Sequence, residues 1–307
     1  MSKKKANKNT REQRNKREHK KIESEKRNAF SNFLIRLILI ILLTVCCILI
    51  YARYTSTSGF EIHEYKITSN KIPDSFQGFK IIHISDLRYG STINKQSLDN
   101  IKNKINETKP DLIVFTGDLI YNESNITEED KKIISDFLYN IDSSAGKYAV
   151  VGDQDTEDSE MILTSGEFTI LRNESDRIYY KDYIPIIISG SGSSLKKEDD
   201  FVKTFSYQND ETNNLYQITM IHESDSALDI ADNYNTDLIL TGNSLGGLIR
   251  LPGIGNIYSI DGSRKNNKTY IEKNNTKIYN SFGLGTTNIK FRYFNRPSAN
   301  LYKLFKE

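Results

Sequence analysis

Five short apolar runs in this 307-residue chain each end in residues that can do chemistry. Lys80–Ser85 (KIIHIS) runs into Asp86-Leu87-Arg88, and Asp111–Thr116 (DLIVFT) into Gly117-Asp118. Lys147–Val151 (KYAVV) runs into Gly152-Asp153-Gln154-Asp155, and Tyr216–Ile221 (YQITMI) into His222. Asp237–Thr241 (DLILT) is followed by Gly242-Asn243-Ser244-Leu245-Gly246-Gly247. Carboxylates, an imidazole, a guanidinium and side-chain amides are groups that hold ions and anionic ligands or move protons. One strand end of this kind means little, because any turn prefers Asp, Asn and Gly. Five in succession mark a site, since open α/β sheets place theirs at the carboxyl ends of strands. Ser244 has no identifiable base beside it, so nucleophilic catalysis through that hydroxyl is not expected. His83 lies inside its run, a position for packing or hydrogen bonding rather than ligation.

The elements that position these residues follow from periodicity. The runs are almost continuously apolar, as expected of strands buried on both faces. Between the first two, Leu98, Ile101 and Ile105 recur at helical spacing, and Pro110 stops the segment. Thr127 with Asp130 makes a capping-box-like start for a helix with Ile134, Phe137, Leu138 and Ile141 inward. Ala227, Ile230, Ala231 and Tyr234 mark another helix, and further strands are expected over Tyr183–Ser189 and Asn256–Ile260. The order βαβαβ, then mixed, indicates an α/β domain of roughly 250 residues.

In order, strand context and spacing, SDLR, TGDL, GDQD, IHESD and GNSLGG resemble the metal-binding motifs of the calcineurin-like metallophosphoesterases. LIRLPGIG at Leu248–Gly255, FGLGTT at Phe282–Thr287 and Arg296-Pro297 extend the resemblance over about residues 60–305. It is greatest for a membrane-anchored bacterial subgroup similar to lipid-headgroup phosphodiesterases. The resemblance implies an α/β metallophosphoesterase-like β-sandwich of mixed sheets flanked by helices. It also implies two metal ions about 3.5–4 Å apart that clamp a phosphate and generate a hydroxide.

Carried over position by position, the first metal would use Asp86, residue 88, Asp118 and residue 245. Here those two residues are Arg88 and Leu245. Leucine has no donor atom, and a guanidinium stays protonated. A positive head about 4 Å from a dication costs roughly 8 kcal/mol at an effective dielectric of 20. Arg88 is therefore expected to take that metal's place, paired with Asp86 and Asp118, or to bind phosphate. The second position would use Asp118, Asp153, His222 and Asn243, all able to donate oxygen or nitrogen to Mn, Zn or Mg. The expected cofactor is thus none or one divalent metal. Gln154 stands at the catalytic histidine's position, and an amide cannot deliver a proton to a leaving group near neutral pH. Gly246 and Gly247 are candidates for offering backbone amides to a phosphate. Two readings remain open: a pseudoenzyme that binds a phosphorylated ligand or a protein partner, and a single-metal phosphoesterase or phosphodiesterase acting on a phospholipid headgroup or other phosphoester.

The net charge of +2 averages two unlike segments. Residues 1–30 carry twelve Lys or Arg against four Glu, whereas the portion after the apolar span carries 29 basic against 36 acidic residues. Between them, Phe33–Ala52 (FLIRLILIILLTVCCILIYA) is interrupted only by Arg36 and Thr44. Twenty residues at about 1.5 Å rise span roughly 30 Å, the thickness of a bilayer's hydrocarbon core. No small-x-small cleavage site follows, the charged region is too long for a signal peptide, and Val45 makes Cys46 a poor lipidation site. The adjacent Cys46 and Cys47 exclude a disulfide-stapled fold. The expected organisation is a basic cytoplasmic tail over residues 1–30, a single-pass anchor over 31–53, and an extracytoplasmic body over 54–307 at the cell membrane. The basic tail beside the span suits anionic lipid rather than nucleic acid.

Overall fold

The computed structural model describes residues 2–122 and 124–307, with side chains from residue 14 onward. The chain divides into two compact units, Met1–Tyr51 and Ala52–Glu307. The first consists of helix α1, Ser2–Ile50, and a π-helical turn over Tyr51–Thr55 leads into the second. Every described side chain of α1 is exposed, including the apolar ones from Phe33 to Ile50. The most apolar stretch has a mean hydropathy of 3.1, so this helix is long and apolar enough to cross a membrane.

In the second unit the strands follow as β1 Glu61–Thr68, β2 Lys80–Ile84, β3 Leu112–Thr116, β4 Lys147–Val150, β5 Thr169–Ile170, β6 Glu174–Ile178 and β7 Ile186–Gly190. The later ones are β8 Gln217–Ile221, β9 Leu238–Thr241, β10 Arg250–Leu251, β11 Gly255–Asn256, β12 Tyr270–Lys273, β13 Thr276–Asn280 and β14 Ser298–Phe305. Helices α2 Lys95–Thr108, α3 Glu128–Tyr139, α4 Glu157–Ser165, α5 Phe201–Thr204 and α6 Ser226–Asn233 connect them. Two six-stranded mixed sheets result, ordered β1-β14-β2-β3-β4-β5 and β12-β13-β9-β8-β7-β6.

Alternation along the strands sorts the core into layers. Ile82, Ile84, Ile113, Phe115 and Ala149 face α2, α3 and α4. Their neighbours Ile81, Leu112, Val114, Tyr148 and Val150 pack between the sheets against Ile188, Ile218, Met220 and Leu240. On the far side Ile221, Ile239 and Ile278 meet α5 and α6. Burial on both faces explains why β2, β3, β4, β8 and β9 read as unbroken apolar runs. The capping box of α3 is present: Asp130 N–H donates to Thr127 Oγ1 at 3.1 Å, and Thr127 N–H to Asp130 Oδ2 at 2.9 Å.

Two expectations are corrected. Asn256–Ile260 is not a sheet strand; Gly255–Asn256 pairs only with Arg250–Leu251 in a small hairpin, and Ile257 and Tyr258 are exposed. Their apolar character therefore does not reflect burial. The strand expected from Tyr183 begins at Ile186, after a turn whose Tyr183 is 83% exposed. Because β2–β5 run parallel, as do β7, β8, β9 and β13, each sheet gathers its carboxyl-terminal loops at one end. His222, at the end of β8, reaches Asp118, at the end of β3, so the two sets of loops meet.

Candidate active site

The loops that meet there share an unusual backbone. Asp86, Arg88, Asp118, Asn243 and Leu245 all have φ between 44° and 62°. That left-handed region is sparsely used by residues with a Cβ, and such positions cluster where a site dictates the side-chain direction. Close approach adds a second demand, because a Cβ on Gly152 would collide with Asp118 Oδ1 and the His222 ring. Asp155 then ties the loops together. Its Oδ2 accepts from Asp118 N–H and Gly152 N–H, and its Oδ1 from Leu119 N–H, each at 2.8 Å.

Arg88, only 2% exposed, lies between two fully buried carboxylates. Its Nη2 donates to Asp118 Oδ2 at 2.6 Å and stands 3.2 Å from Asp86 Oδ1. Asp86 Oδ2 accepts from Ser85 Oγ at 2.5 Å and from Asn243 N–H at 3.0 Å. Leu245 is buried beside this group, its Cδ2 packed near Gly283. A guanidinium and an isobutyl group thus fill the volume next to Asp86, and these residues do not fit a cation at that position.

The other side of Asp118 differs. His222 Nδ1 lies 2.5 Å from the Thr116 carbonyl, which can only accept, so Nδ1 carries a proton. Nε2 then faces Asp118 Oδ1 at 3.4 Å and Asp153 Oδ1 at 3.3 Å. Both His222 Nε2 and Asp153 Oδ1 are buried without a hydrogen-bond partner. Two carboxylate oxygens and an imidazole whose Nδ1–H is held by a carbonyl are a donor set that fits one divalent metal, which would have to displace the Nε2 proton that Asp118 and Asp153 favour. Asp86, Asp118 and His222 also bring donor atoms within 4.8 Å of one another. Asn243 turns its amide NH2 to Asp261 O at 2.6 Å. Gln154 N–H donates to Asp118 Oδ1 at 3.1 Å, while its Oε1 is buried and unpartnered.

Burial alone would raise the Asp118 carboxyl, but the His222 imidazole and the Arg88 guanidinium outweigh it and hold it well below the usual carboxylate range. Burial would likewise lower His222; Asp118 and Asp153 reverse this and push it well above 6.5. Asp86 goes the other way, since burial outweighs Arg88 and raises it. Arg88, Asp153, Gln154 and Asn243 line a cleft of about 550 Å³, together with Tyr258, Asp261 and Ile289.

A family model for calcineurin-like phosphoesterases matches residues 79–307. The chain belongs to this family. The uncharacterized metallophosphoesterase YkuE of Bacillus subtilis (strain 168) is 32% identical over 259 residues, 83% of this chain and 88% of that relative. A Danio rerio transmembrane protein with a metallophosphoesterase domain is 27% identical over 78 residues, 25% of this chain and 18% of its own. The UDP-2,3-diacylglucosamine pyrophosphatase LpxG of Chlamydia muridarum is 30% identical over 88 residues, 28% of this chain and 26% of its own.

Within this calcineurin-like phosphoesterase, Arg88, Asp153, Gln154 and Asn243 line the cleft, and Asp86, Asp118 and His222 lie buried against Arg88 and Asp153. One expectation fails on geometry: Gly246 N–H donates to Ser244 Oγ at 3.2 Å and Gly247 N–H to Ser244 O at 2.7 Å, so neither amide is free for a phosphate. Spacing also gave no role to Asp155, whose signal was its place as the last polar residue of GDQD. Arg292 was missed as well. It is fully buried, and all its described hydrogen bonds go to backbone carbonyls, including Phe282 O at 3.0 Å and Gly283 O at 3.1 Å. Burial lowers its guanidinium to about 9, Asp86 partly opposing. Arg292 holds the FGLGTT loop against the Asp86 side of the site.

Proposed function

We propose that this calcineurin-like phosphoesterase is a catalytically impaired member that binds a phosphorylated ligand at the outer face of the cell membrane. Residues 1–30 form its cytoplasmic basic tail, 31–53 its anchor and 54–307 its extracytoplasmic body. The observation that carries the reading is Arg88 Nη2 seated between Asp118 and Asp86, where it supplies fixed positive charge. Arg88 lines the cleft, and its buried Nε–H has no hydrogen-bond partner, which suits it to a phosphoryl oxygen. Gln154 can orient a ligand oxygen but has no proton to transfer. The excess of Lys and Arg on the amino-terminal side of the span supports the orientation.

A single-metal phosphoesterase is the second reading, favoured by the unpartnered His222 Nε2 and Asp153 Oδ1. Asp118, Asp153 and His222 would hold the ion, which when bound would supply Lewis-acid polarisation of a phosphoryl oxygen. Asp118 would then be shared between that ion and Arg88, and His222 would keep its Nδ1–H on Thr116. The diacylated substrate in the name of LpxG supports a lipid phosphoester as ligand. The test uses the full chain in detergent, measuring metal content and bis-nitrophenyl phosphate turnover with Mn, Mg and Zn. At most one metal per chain is expected, with turnover no greater than that of Asp118→Ala. Turnover in the parent that is lost in both Asp118→Ala and His222→Ala would overturn the impaired reading.

A further inference from the structure

Five large apolar or aromatic residues stand exposed on two neighbouring loops: Ile254 at 74%, Ile257 at 57%, Tyr258 at 44%, Ile289 at 46% and Phe294 at 55%. Isolated exposed residues of this kind need no explanation, but a patch on adjoining loops does. Hydrogen bonds join these loops laterally. Ile257 N–H donates to Ile249 O at 3.1 Å, Arg250 N–H to Tyr293 O at 2.9 Å, and Tyr293 N–H to Leu248 O at 2.9 Å. The last step fixes the location: Arg292 N–H donates to Ala52 O at 3.0 Å. Ala52 is the residue at which the apolar span Phe33–Ala52 ends. Three such lateral steps at about 4.8 Å each place the hairpin roughly 14 Å from the point where the chain leaves that span.

We infer that Ile254, Ile257, Tyr258, Ile289 and Phe294 form a second membrane contact, inserted into the interfacial layer of the bilayer that holds α1. Continuity with the span selects lipid as the occupant. Aromatic and branched apolar side chains partition into that layer, and Arg53 beside the exposed Tyr54 supplies the interfacial pairing usual at a span's end. Tyr258 and Ile289 also line the cleft that holds Arg88 and Asp153. The patch therefore sets the mouth of the site at headgroup depth and selects phosphoryl groups carried by lipid over those in free solution. This rests on reading residues 33–52 as a membrane span.

The chain contains no tryptophan, so single-tryptophan variants report one position each. Ile254→Trp, Ile289→Trp and Phe294→Trp in the full chain, in nanodiscs with lipids brominated at shallow or deep acyl positions, test the contact. Met161→Trp, at an exposed position on α4, serves as the control. Blue-shifted emission and several-fold stronger quenching by shallow bromines than at Met161→Trp are expected at all three. Emission and quenching equal to the control overturn the inference. A blue shift without bromine quenching overturns it too, because protein, such as a second copy, then covers the patch. Alkaline extraction of full-chain membranes separates the premise: release of the chain removes the span itself, whereas a retained chain with unquenched tryptophans removes only the patch. Neither readout depends on metal or phosphate binding.

Discussion

The two sides of Asp118 are both built from strand-end loops but have opposite chemistry. Toward Asp86, the left-handed strand ends persist at Arg88 and Leu245. The volume they aim into is closed by an ion pair and a packed leucine. Toward Asp153, His222 Nε2 and Asp153 Oδ1 face each other at 3.3 Å without a hydrogen bond. Loop conformation is fixed by many interactions, among them the three amide bonds to Asp155, and so outlasts replacement of single side chains. Coordination depends on a few side-chain atoms, and Arg88 and Leu245 offer a cation none of them. A family fold is therefore strong evidence for backbone geometry and weaker evidence for chemistry.

The largest expected effect comes from making the two sides alike. Arg88→His, Gln154→His, Asn243→His and Leu245→His together restore donors on the Asp86 side and a proton donor in the cleft. Metal content should rise to two per chain. Phosphodiester turnover should exceed the parent's by about 10²–10⁴-fold, the usual worth of a positioned general acid. If the quadruple variant folds, as judged by circular dichroism, yet stays metal-free, the contrast between the two sides has been misassigned.

A smaller effect isolates Arg88. Arg88→Ala leaves Asp86 and Asp118 buried without the guanidinium between them, and breaking a buried pair in this way costs about 3–5 kcal/mol. Urea unfolding of the full chain in detergent should report that loss, and millimolar Mn or Mg should recover part of it by occupying the vacated volume. Full stability without added cation would mean that the guanidinium does not hold the two carboxylates together.

How far this arrangement was legible depends on what burial does to composition. Strands β2, β3, β4, β8 and β9 could be read because both faces are covered, and the candidate site residues lie at their ends. Strand β1 (EIHEYKIT) and β12 (YIEK) escaped because sheet edges carry charges that break an apolar run. Strand β14 (SANLYKLF) escaped for another reason. Its pairing with β1 and β2 joins the end of the chain to segments more than two hundred residues earlier, and no local pattern encodes that partner. The segment after Asn256 was misread because its apolar residues face solvent, where periodicity carries no information about a core. Asp155 and Arg292 escaped because their partners are backbone groups, which leave no complementary side chain in the sequence.

The smallest effect separates two histidines that share one threonine. His222 Nδ1 bonds the Thr116 carbonyl, whereas His83 Nε2 lies 2.8 Å from Thr116 Oγ1. Both are fully buried. His222 faces carboxylates and is raised; His83 sits between the sheets among neutral groups, and burial lowers it to about 3. Since the folded state releases the His83 proton more readily than the unfolded state, whose value is near 6.5, this group's contribution is complete above about pH 6.5. It is lost as pH falls toward 3, at about 1.4 kcal/mol per unit, or about 2 kcal/mol by pH 5. His222 has the opposite sign, and its proton is bound in both states below about pH 6.5, so it adds no slope there. His83→Gln keeps a hydrogen-bonding group near Thr116 but cannot titrate. Its unfolding free energy should therefore fall less steeply between pH 6.5 and 5 than that of the parent, by about 1.4 kcal/mol per unit. Equal slopes in the two proteins would show that His83 is already protonated in the fold, and the contrast with His222 would disappear.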